Sequence, residues 1–153
     1  MERITSFTID HDVLVPGFYI SRKDGDITTY DLRTRRPNKG DYMSNADMHS
    51  VEHMFATYIR NSEIADSVFY FGPMGCQTGF YLLVRDVEPK KVFQITKEVL
   101  SQIIAHEGEV FGASAAECGH YENLDLEIAK EECRIYLAVL EKQTNMEFSY
   151  PTK

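Results

Sequence analysis

The amino-acid sequence predicts an α+β fold in which helices back an antiparallel β-sheet. Segments rich in Val, Ile, Phe and Tyr fall mainly in the first 85 residues, whereas helical periodicity dominates the remainder. Asp24-Gly25 separates two of the β-rich segments, and this dipeptide is a strong signal for a tight antiparallel hairpin. Because strands and helices do not alternate strictly along the chain, the α+β class is favoured.

Five short segments are predicted as strands. They are rich in β-branched and aromatic residues and span residues 4–9, 18–22, 27–33, 67–71 and 78–85. The last two are joined by the sequence GPMGCQTG at positions 72–79, whose glycines and proline are typical of a loop.

Three helices are predicted. Ser44, with Asp47 three residues later, is typical of a capping box, and it begins a helix with the apolar stripe Met48, Val51, Phe55, Tyr58 and Ile59. Pro89 suits the first turn of a second helix that extends to about residue 107. A third helix is predicted from about residue 124 to residue 142, and Cys133 falls on its buried stripe.

The composition is that of one globular domain spanning residues 1–153. The formal net charge of −8 argues against a nucleic-acid partner, because an acidic surface repels phosphates. No apolar stretch approaches the roughly 18 residues of a membrane span, and no signal-peptide region is evident, so we expect no membrane partner and a cytoplasmic location. Three cysteines cannot all pair within one chain, which fits a reducing compartment.

His49, Glu52 and His53 are candidate site residues on the first helix. Side chains at positions i, i+3 and i+4 share one face of an α-helix, so the two imidazoles are near enough to bind one metal ion. The pattern His-x-x-Glu-His occurs in metal sites and has moderate specificity. The spacing alone favours a metal site and a solvated helix face equally.

A third metal ligand must come from elsewhere in the chain, since a catalytic site usually has three protein ligands and one open position. Cys76 and Cys118 both lie beside glycine in predicted loops, where reactive groups are often found, whereas Cys133 is predicted as a small core residue. A loop thiolate can be a metal ligand or a catalytic base, and His120 is an alternative ligand to Cys118. The residues themselves leave these alternatives open.

Several motifs resemble one family, the S-ribosylhomocysteine lyases of the LuxS type. In order along the chain they are SFTIDH at 6–11, YDLR at 30–33, RPNK at 36–39, HSVEH at 49–53, PMGCQTG at 73–79 and ECG at 117–119. The resemblance covers essentially the whole chain, and the segment PMGCQTG is highly specific. It implies an α+β homodimer with active sites at the subunit interface.

The resemblance also implies an activity and roles for the candidate residues. The family converts S-ribosylhomocysteine into homocysteine and 4,5-dihydroxy-2,3-pentanedione, the precursor of autoinducer-2, by carbonyl migration and β-elimination. The implied metal ligands are His49, His53 and Cys118, holding one Fe²⁺ per subunit with Zn²⁺ as a substitute after aerobic purification. The implied proton carriers are Glu52 and Cys76. A free thiol has a pKa of about 8.5, so the second role requires a nearby cation or loop amides that stabilise the thiolate.

Three substrate contacts are implied as well, at Ser6, His11 and Arg33, of which Arg33 is a natural partner for an amino-acid carboxylate. The sequence departs from the family at Tyr70 and Gly72, where the family usually has Asp and Ser. A carboxylate that would help to hold a ribose hydroxyl is therefore missing or is supplied from elsewhere.

Two other functions use the same residues. In a His-x-x-Glu-His metalloprotease, Glu52 would activate water against a peptide bond, but that class takes a carboxylate as its third ligand and needs no loop thiol. In a non-enzymatic dimeric module, a closed structural site could be formed by His49, His53 and Cys118 with either His120 or Cys76.

Overall fold

Four antiparallel strands and three helices form the fold, and the computed structural model describes all of residues 1–153. The strands are β1 (Gly17–Asp24), β2 (Ile27–Arg33), β3 (Val68–Pro73) and β4 (Gly79–Arg85). The helices are α1 (Asn45–Ile59), α2 (Pro89–Ala105) and α3 (Leu126–Lys142). The predicted α+β class with an antiparallel sheet and helices is confirmed.

The sheet has the strand order β1-β2-β4-β3. A two-residue turn joins β1 to β2, and Gly25 in that turn has a φ of +63°, which explains why glycine is needed there. The register places Tyr19, Asp31, Tyr81 and Gly72 opposite one another in a single row across all four strands.

The two faces of the sheet differ in chemistry. Because successive side chains on a strand point to opposite faces, Tyr30 and Leu32 of β2 face the helices, while Asp31 and Arg33 face the other way. The helix-facing side belongs to one continuous cluster of 27 buried residues. Asp31 and Arg33 are nevertheless buried on the second face, so other segments of the chain cover them.

Local sequence signals explain the helix ends. Ser44 accepts a hydrogen bond from the amide of Asp47, and the Asp47 carboxylate accepts one from the amide of Ser44, which confirms the predicted capping box of α1. Asp125 caps α3 in a similar way by accepting from the amide of Ile128, so α3 begins slightly later than predicted. None of the helices has the length and apolar character required to cross a bilayer.

The predicted strand at residues 4–9 is wrong. That segment forms a short 3₁₀ turn at Thr5–Phe7, closed by hydrogen bonds from the Phe7 and Thr8 amides to carbonyls three residues earlier. A β-rich segment forms a strand only where a sheet edge can pair with it. The outer edge of β1 bonds instead to the C-terminal segment, because the Ile20 amide donates to the carbonyl of Phe148 at 2.8 Å.

Candidate active site

The first part of the site lies on α1, where His49 and His53 are one helical turn apart. Their ring centroids are 4.6 Å apart and the rings are nearly perpendicular. Both side chains are partly exposed, while Met48, Val51 and Phe55 on the neighbouring stripe are buried. The helix therefore anchors its apolar stripe in the core and leaves the two imidazoles at the rim.

Cys118 completes a group of three metal-ligand donors. It lies in the loop before α3, and a turn in which the Glu117 and Cys118 amides both donate to the Ser114 carbonyl fixes its position. The donor atoms of His49, His53 and Cys118 all lie within 4.8 Å of one another. The Cys118 Sγ is 3.3 Å from the His49 Nε2.

This geometry fits a divalent metal ion. Typical zinc–sulfur and zinc–nitrogen distances in a tetrahedral site would separate a thiolate and an imidazole nitrogen by about 3.5 Å. The observed 3.3 Å between Sγ and Nε2 agrees with that value. A set of two imidazoles and one thiolate suits Zn²⁺ and Fe²⁺.

Hydrogen bonds orient both histidines. The Nδ1 of His53 lies 2.8 Å from the carbonyl oxygen of Phe111, and the Nδ1 of His49 contacts the side-chain oxygen of Asn123. Asn123 in turn donates to Asn45 at 2.5 Å. Such contacts place the proton on Nδ1 and leave Nε2 free for a metal ion. Sequence reasoning missed Asn123, because a lone asparagine in a loop carries no recognisable pattern.

His120 and Cys133 do not contribute donor atoms to the group formed by His49, His53 and Cys118. His120 is exposed, and its ring centroid is 6.4 Å from that of His49, although its amide donates to the Cys118 Sγ at 3.4 Å. Cys133 is buried in α3, which confirms its prediction as a small core residue, and burial raises the pKa of its thiol to about 12. Three donors therefore converge, rather than the four of a closed structural site.

Glu52 lies beside the two histidines on α1 and is partly exposed. Its carboxylate is not one of the three converging donors. The arrangement leaves this group available for proton transfer next to a metal site rather than as a ligand.

Cys76 is exposed in the loop between β3 and β4. The loop is held at both ends: the Met74 amide donates to the Gly79 carbonyl at 2.9 Å, and the Gln77 side chain donates to the Met43 carbonyl at 2.8 Å. Gln77 has a φ of +65°, an uncommon conformation for a residue other than glycine. A fixed loop thus presents the thiol at the surface.

The Cys76 thiol has polar and positively charged neighbours. Its Sγ lies 3.0 Å from the Thr78 hydroxyl and 3.9 Å from the Nη1 of Arg33. The same Nη1 donates to Thr78 at 2.8 Å. A cation and a hydroxyl donor beside a sulfur are the features that favour a thiolate.

Arg33 is only 2% exposed and its nitrogens are already bound within the chain. Its Nε and Nη2 donate to the two carboxylate oxygens of Asp31 at 3.1 and 2.6 Å. Burial lowers the pKa of the Arg33 guanidinium, but the adjacent Asp31 carboxylate outweighs that effect and the pKa is raised overall. The predicted contact of Arg33 with a substrate carboxylate stays a prediction. The guanidinium nitrogen that approaches the Cys76 thiol is Nη1.

The remaining predicted residues line two separate openings. His11 and Cys76 line one cavity of about 220 Å³, and the His11 Nδ1 is bound to the Ile9 carbonyl at 2.8 Å. Ser6 lies in a second cavity of about 380 Å³ together with Tyr70. Within one chain, the predicted site residues therefore fall into three neighbourhoods rather than one.

Tyr70 and Gly72, the two departures from the family pattern, are physically coupled. They are two residues apart on β3 and so face the same side of the sheet. A Cβ atom added to Gly72 would lie 2.0 Å from the Tyr70 hydroxyl. The tyrosine ring thus occupies the space that a side chain at position 72 would need.

Comparisons with known proteins extend the resemblance over nearly the whole chain. A family model described as S-ribosylhomocysteinase (LuxS) matches residues 4–147. The S-ribosylhomocysteine lyase of Finegoldia magna is 43% identical over 156 residues, covering 99% of this chain and 99% of the relative. The protein of the same name from Phocaeicola vulgatus is 43% identical over 160 residues, covering 100% and 99%. That from Borreliella burgdorferi is 42% identical over 157 residues, covering 99% and 100%. The resemblance drawn from the motifs is confirmed.

Proposed function

The chain belongs to the S-ribosylhomocysteinase (LuxS) family, and from this premise we propose the function and the roles of its site residues. The chain is a carbon–sulfur lyase that cleaves S-ribosylhomocysteine into homocysteine and 4,5-dihydroxy-2,3-pentanedione. The observation that carries the proposal is the convergence of His49, His53 and Cys118 within 4.8 Å in a chain of this family.

The reaction needs repeated proton transfer at carbon. The carbonyl of the sugar must move from carbon 1 to carbon 3, and each move takes a proton from the carbon next to the carbonyl and returns one to the carbon that was the carbonyl. With the carbonyl at carbon 3, removal of the carbon 4 proton expels the homocysteine thiolate from carbon 5. A divalent ion held by His49, His53 and Cys118 supplies a Lewis acid that stabilises negative charge on the sugar oxygens.

Glu52 and Cys76 are the proposed proton carriers. Glu52 projects from the helix face that bears both histidines, so its carboxylate can exchange protons with substrate oxygens beside them. Cys76 acts as the base toward carbon-bound protons, supported by the Arg33 cation at 3.9 Å and the Thr78 hydroxyl at 3.0 Å. Ser6, His11 and Arg33 are the proposed substrate contacts.

Neither alternative function is favoured by these contacts. A metalloprotease of the His-x-x-Glu-His type takes a carboxylate as its third ligand, whereas the third converging donor is the Cys118 thiol. A closed structural site would bring a fourth donor to the group, and neither His120 nor Cys76 belongs to it.

We infer that the working form is a homodimer with the active sites at the interface. The division of Ser6, Cys76 and the three ligands among separate neighbourhoods supports this, since a second copy can bring them together. Ile4, Tyr42 and Tyr70 are exposed apolar side chains that line the two cavities, and they also support an interface. Sedimentation equilibrium tests it: a monomer at the concentration at which turnover is measured contradicts the dimer.

The proposed metal is Fe²⁺, one per subunit, with Zn²⁺ as a substitute. Protein purified anaerobically is expected to contain close to one equivalent of iron, and protein purified in air to contain zinc. Elemental analysis of both preparations tests this, and an anaerobic preparation that is active with no iron contradicts it.

The activity itself is tested by anaerobic incubation of the metal-loaded chain with S-ribosylhomocysteine while a thiol reagent reports released homocysteine. We expect one thiol per substrate consumed, and loss of release after treatment with a chelator. Metal-loaded protein that releases no thiol contradicts the proposed function.

A further inference from the structure

The C-terminal segment, residues 145–153, is fixed against the edge and second face of the sheet. Phe148 is 1% exposed, and its carbonyl oxygen accepts the amide of Ile20 at 2.8 Å. Two residues later the ring of Tyr150 stacks on the ring of Tyr19, with centroids 5.0 Å apart. The last residues of the chain are thereby held over the face that carries Asp31.

A continuous set of contacts leads from this segment to the Cys76 thiol. The Tyr150 hydroxyl donates to the Oδ2 of Asp31 at 2.7 Å. Both Asp31 oxygens bind Arg33, and the remaining Arg33 nitrogen reaches Thr78 at 2.8 Å and the Cys76 Sγ at 3.9 Å. Asp31 is 0% exposed, so protein groups rather than bulk water provide the hydrogen bonds to its carboxylate.

The position of Tyr150 has an electrostatic consequence for the thiol. Arg33 lies between two groups that compete for its positive charge, the Asp31 carboxylate and the Cys76 sulfur. A hydrogen bond donated to Asp31 spreads the negative charge of its carboxylate. The Arg33 cation then stabilises negative charge on the Cys76 sulfur more strongly. Burial and then the charge of Asp31 raise the pKa of Tyr150 well above its ordinary value, so its hydroxyl remains a donor at working pH.

We propose that Tyr150 is a positioning residue for the chemistry at Cys76. Its hydroxyl holds the Asp31 carboxylate, which in turn holds Arg33 against Thr78 and the thiol. The role assigned to Tyr150 rests on the proposed function, because it matters for turnover only if Cys76 is the base. The family match ends at residue 147, so Tyr150 lies beyond the segment that the match covers.

The other titratable and charged groups around the Cys76 thiol are unchanged by a substitution at Tyr150 or Tyr19. His11 and Tyr42 line the cavity of Cys76, and Arg33 contacts its sulfur. Tyr81 lies nearby on β4; burial and then the charge of Asp31 raise its pKa, so it is neutral at working pH. A change made only at Tyr150 therefore tests the contact with Asp31.

The test is the pH dependence of Cys76 alkylation by iodoacetamide in the metal-loaded, full-length Tyr150→Phe variant. Mass spectrometry of the Cys76 peptide gives its rate separately from those of the other cysteines. Loss of one hydroxyl should move the profile to higher pH and lower the alkylation rate at pH 7 about threefold, because Asp31 then draws more on the Arg33 charge beside the sulfur. The acidic limb of the kcat/KM profile should move in the same direction.

Tyr19→Phe is the matched control. Its ring also stacks in this pair, but its hydroxyl donates to the Val15 carbonyl at 2.7 Å and not to Asp31. This variant should leave the Cys76 profile where it is in the unmodified chain. Circular dichroism and metal content should be unchanged in both variants.

Three results overturn the proposal: a Cys76 profile that does not move or moves to lower pH, an equal shift in Tyr19→Phe, or a shift accompanied by loss of metal or helical signal. Alkylation requires no substrate, so it reports on the contact whether or not thiol is released. The turnover measurement alone tests the proposed function, so the role of Tyr150 and the proposed function can be contradicted independently.

Discussion

The Nδ1 of His53 lies 2.8 Å from the backbone carbonyl oxygen of Phe111. Because a carbonyl only accepts, Nδ1 carries the proton and Nε2 keeps the lone pair that a metal ion requires. His49 is oriented by a side chain instead, the amide of Asn123. One ligand is therefore fixed by backbone and the other by a residue that a substitution can remove.

Asn123→Ala should weaken metal binding by about 10- to 100-fold, which is the usual effect of removing a partner that orients a ligand. The His49 ring then loses the contact that fixes its tautomer and rotation. Competition with a chelator measures the affinity without reference to turnover. Asn61→Ala is the matched control, because Asn61 is exposed and its side chain bonds only to the Thr57 carbonyl. Equal affinities in the two variants contradict the role of Asn123.

His53→Ala and Cys118→Ala should each lose the ion, because two remaining ligands hold a divalent metal poorly. Elemental analysis of the purified variants provides the measurement. Cys133→Ala is the control for loss of a thiol, since Cys133 is buried in α3 away from the donor group, and it should keep both metal and activity. A full equivalent of metal in either ligand variant removes that residue from the site.

Glu52→Gln should keep the metal and bind substrate but turn over about 10²–10⁴ times more slowly, because an amide cannot carry a proton at neutral pH. The rate of thiol release at saturating substrate is the quantity to compare. Glu107→Gln, at an exposed position beyond α2, serves as the control for loss of one carboxylate. Near-normal turnover in Glu52→Gln would exclude this residue from proton transfer.

The helices could be predicted from sequence because their signals are local. The capping pair Ser44 and Asp47 is three residues apart, and the stripe of α1 repeats every three or four residues. The false strand at 4–9 shows the limit of such signals. Its residues have strand propensity, but the edge that could have paired with it is bonded to Phe148, near the other end of the chain.

The same distinction holds for the site. His49, Glu52 and His53 could be found because a helix brings them together, and Cys76 and Cys118 because motifs mark them. The contacts of His49 with Asn123 and of Tyr150 with Asp31 join residues that are 74 and 119 positions apart. No periodicity or spacing predicts such pairs, since only the folded chain determines which distant residues meet.

Substitution by alanine should lower the stability of the fold by different amounts at two glycines on neighbouring strands, Gly72 and Gly79. At Gly72 the new Cβ would meet the Tyr70 hydroxyl at 2.0 Å, but that ring is half exposed and can swing away, so we expect a cost below about 1 kcal/mol. At Gly79 the Cβ would meet the Leu32 carbonyl oxygen at 2.7 Å, and paired backbone cannot move aside, so we expect about 1–3 kcal/mol or more.

Urea unfolding at fixed protein concentration and metal loading measures both glycine variants. The double change Tyr70→Ala with Gly72→Ala should remove the small cost at position 72, because the ring is gone. Equal losses of stability in Gly72→Ala and Gly79→Ala would contradict the distinction between a mobile ring and a fixed carbonyl.

Cys76→Ala separates a catalyst from a ligand most sharply, because the two roles predict opposite results. If Cys76 is the base, the variant keeps one metal per chain and still binds substrate but releases no homocysteine. The three donors His49, His53 and Cys118 are untouched, while the thiol beside Arg33 that moves carbon-bound protons is missing. Metal content and thiol release must both be measured on this one variant. Loss of metal from Cys76→Ala, together with its retention in Cys118→Ala, would mean that Cys76 is the ligand and Cys118 is the base. Survival of both metal and turnover would mean that the chemistry does not pass through Cys76.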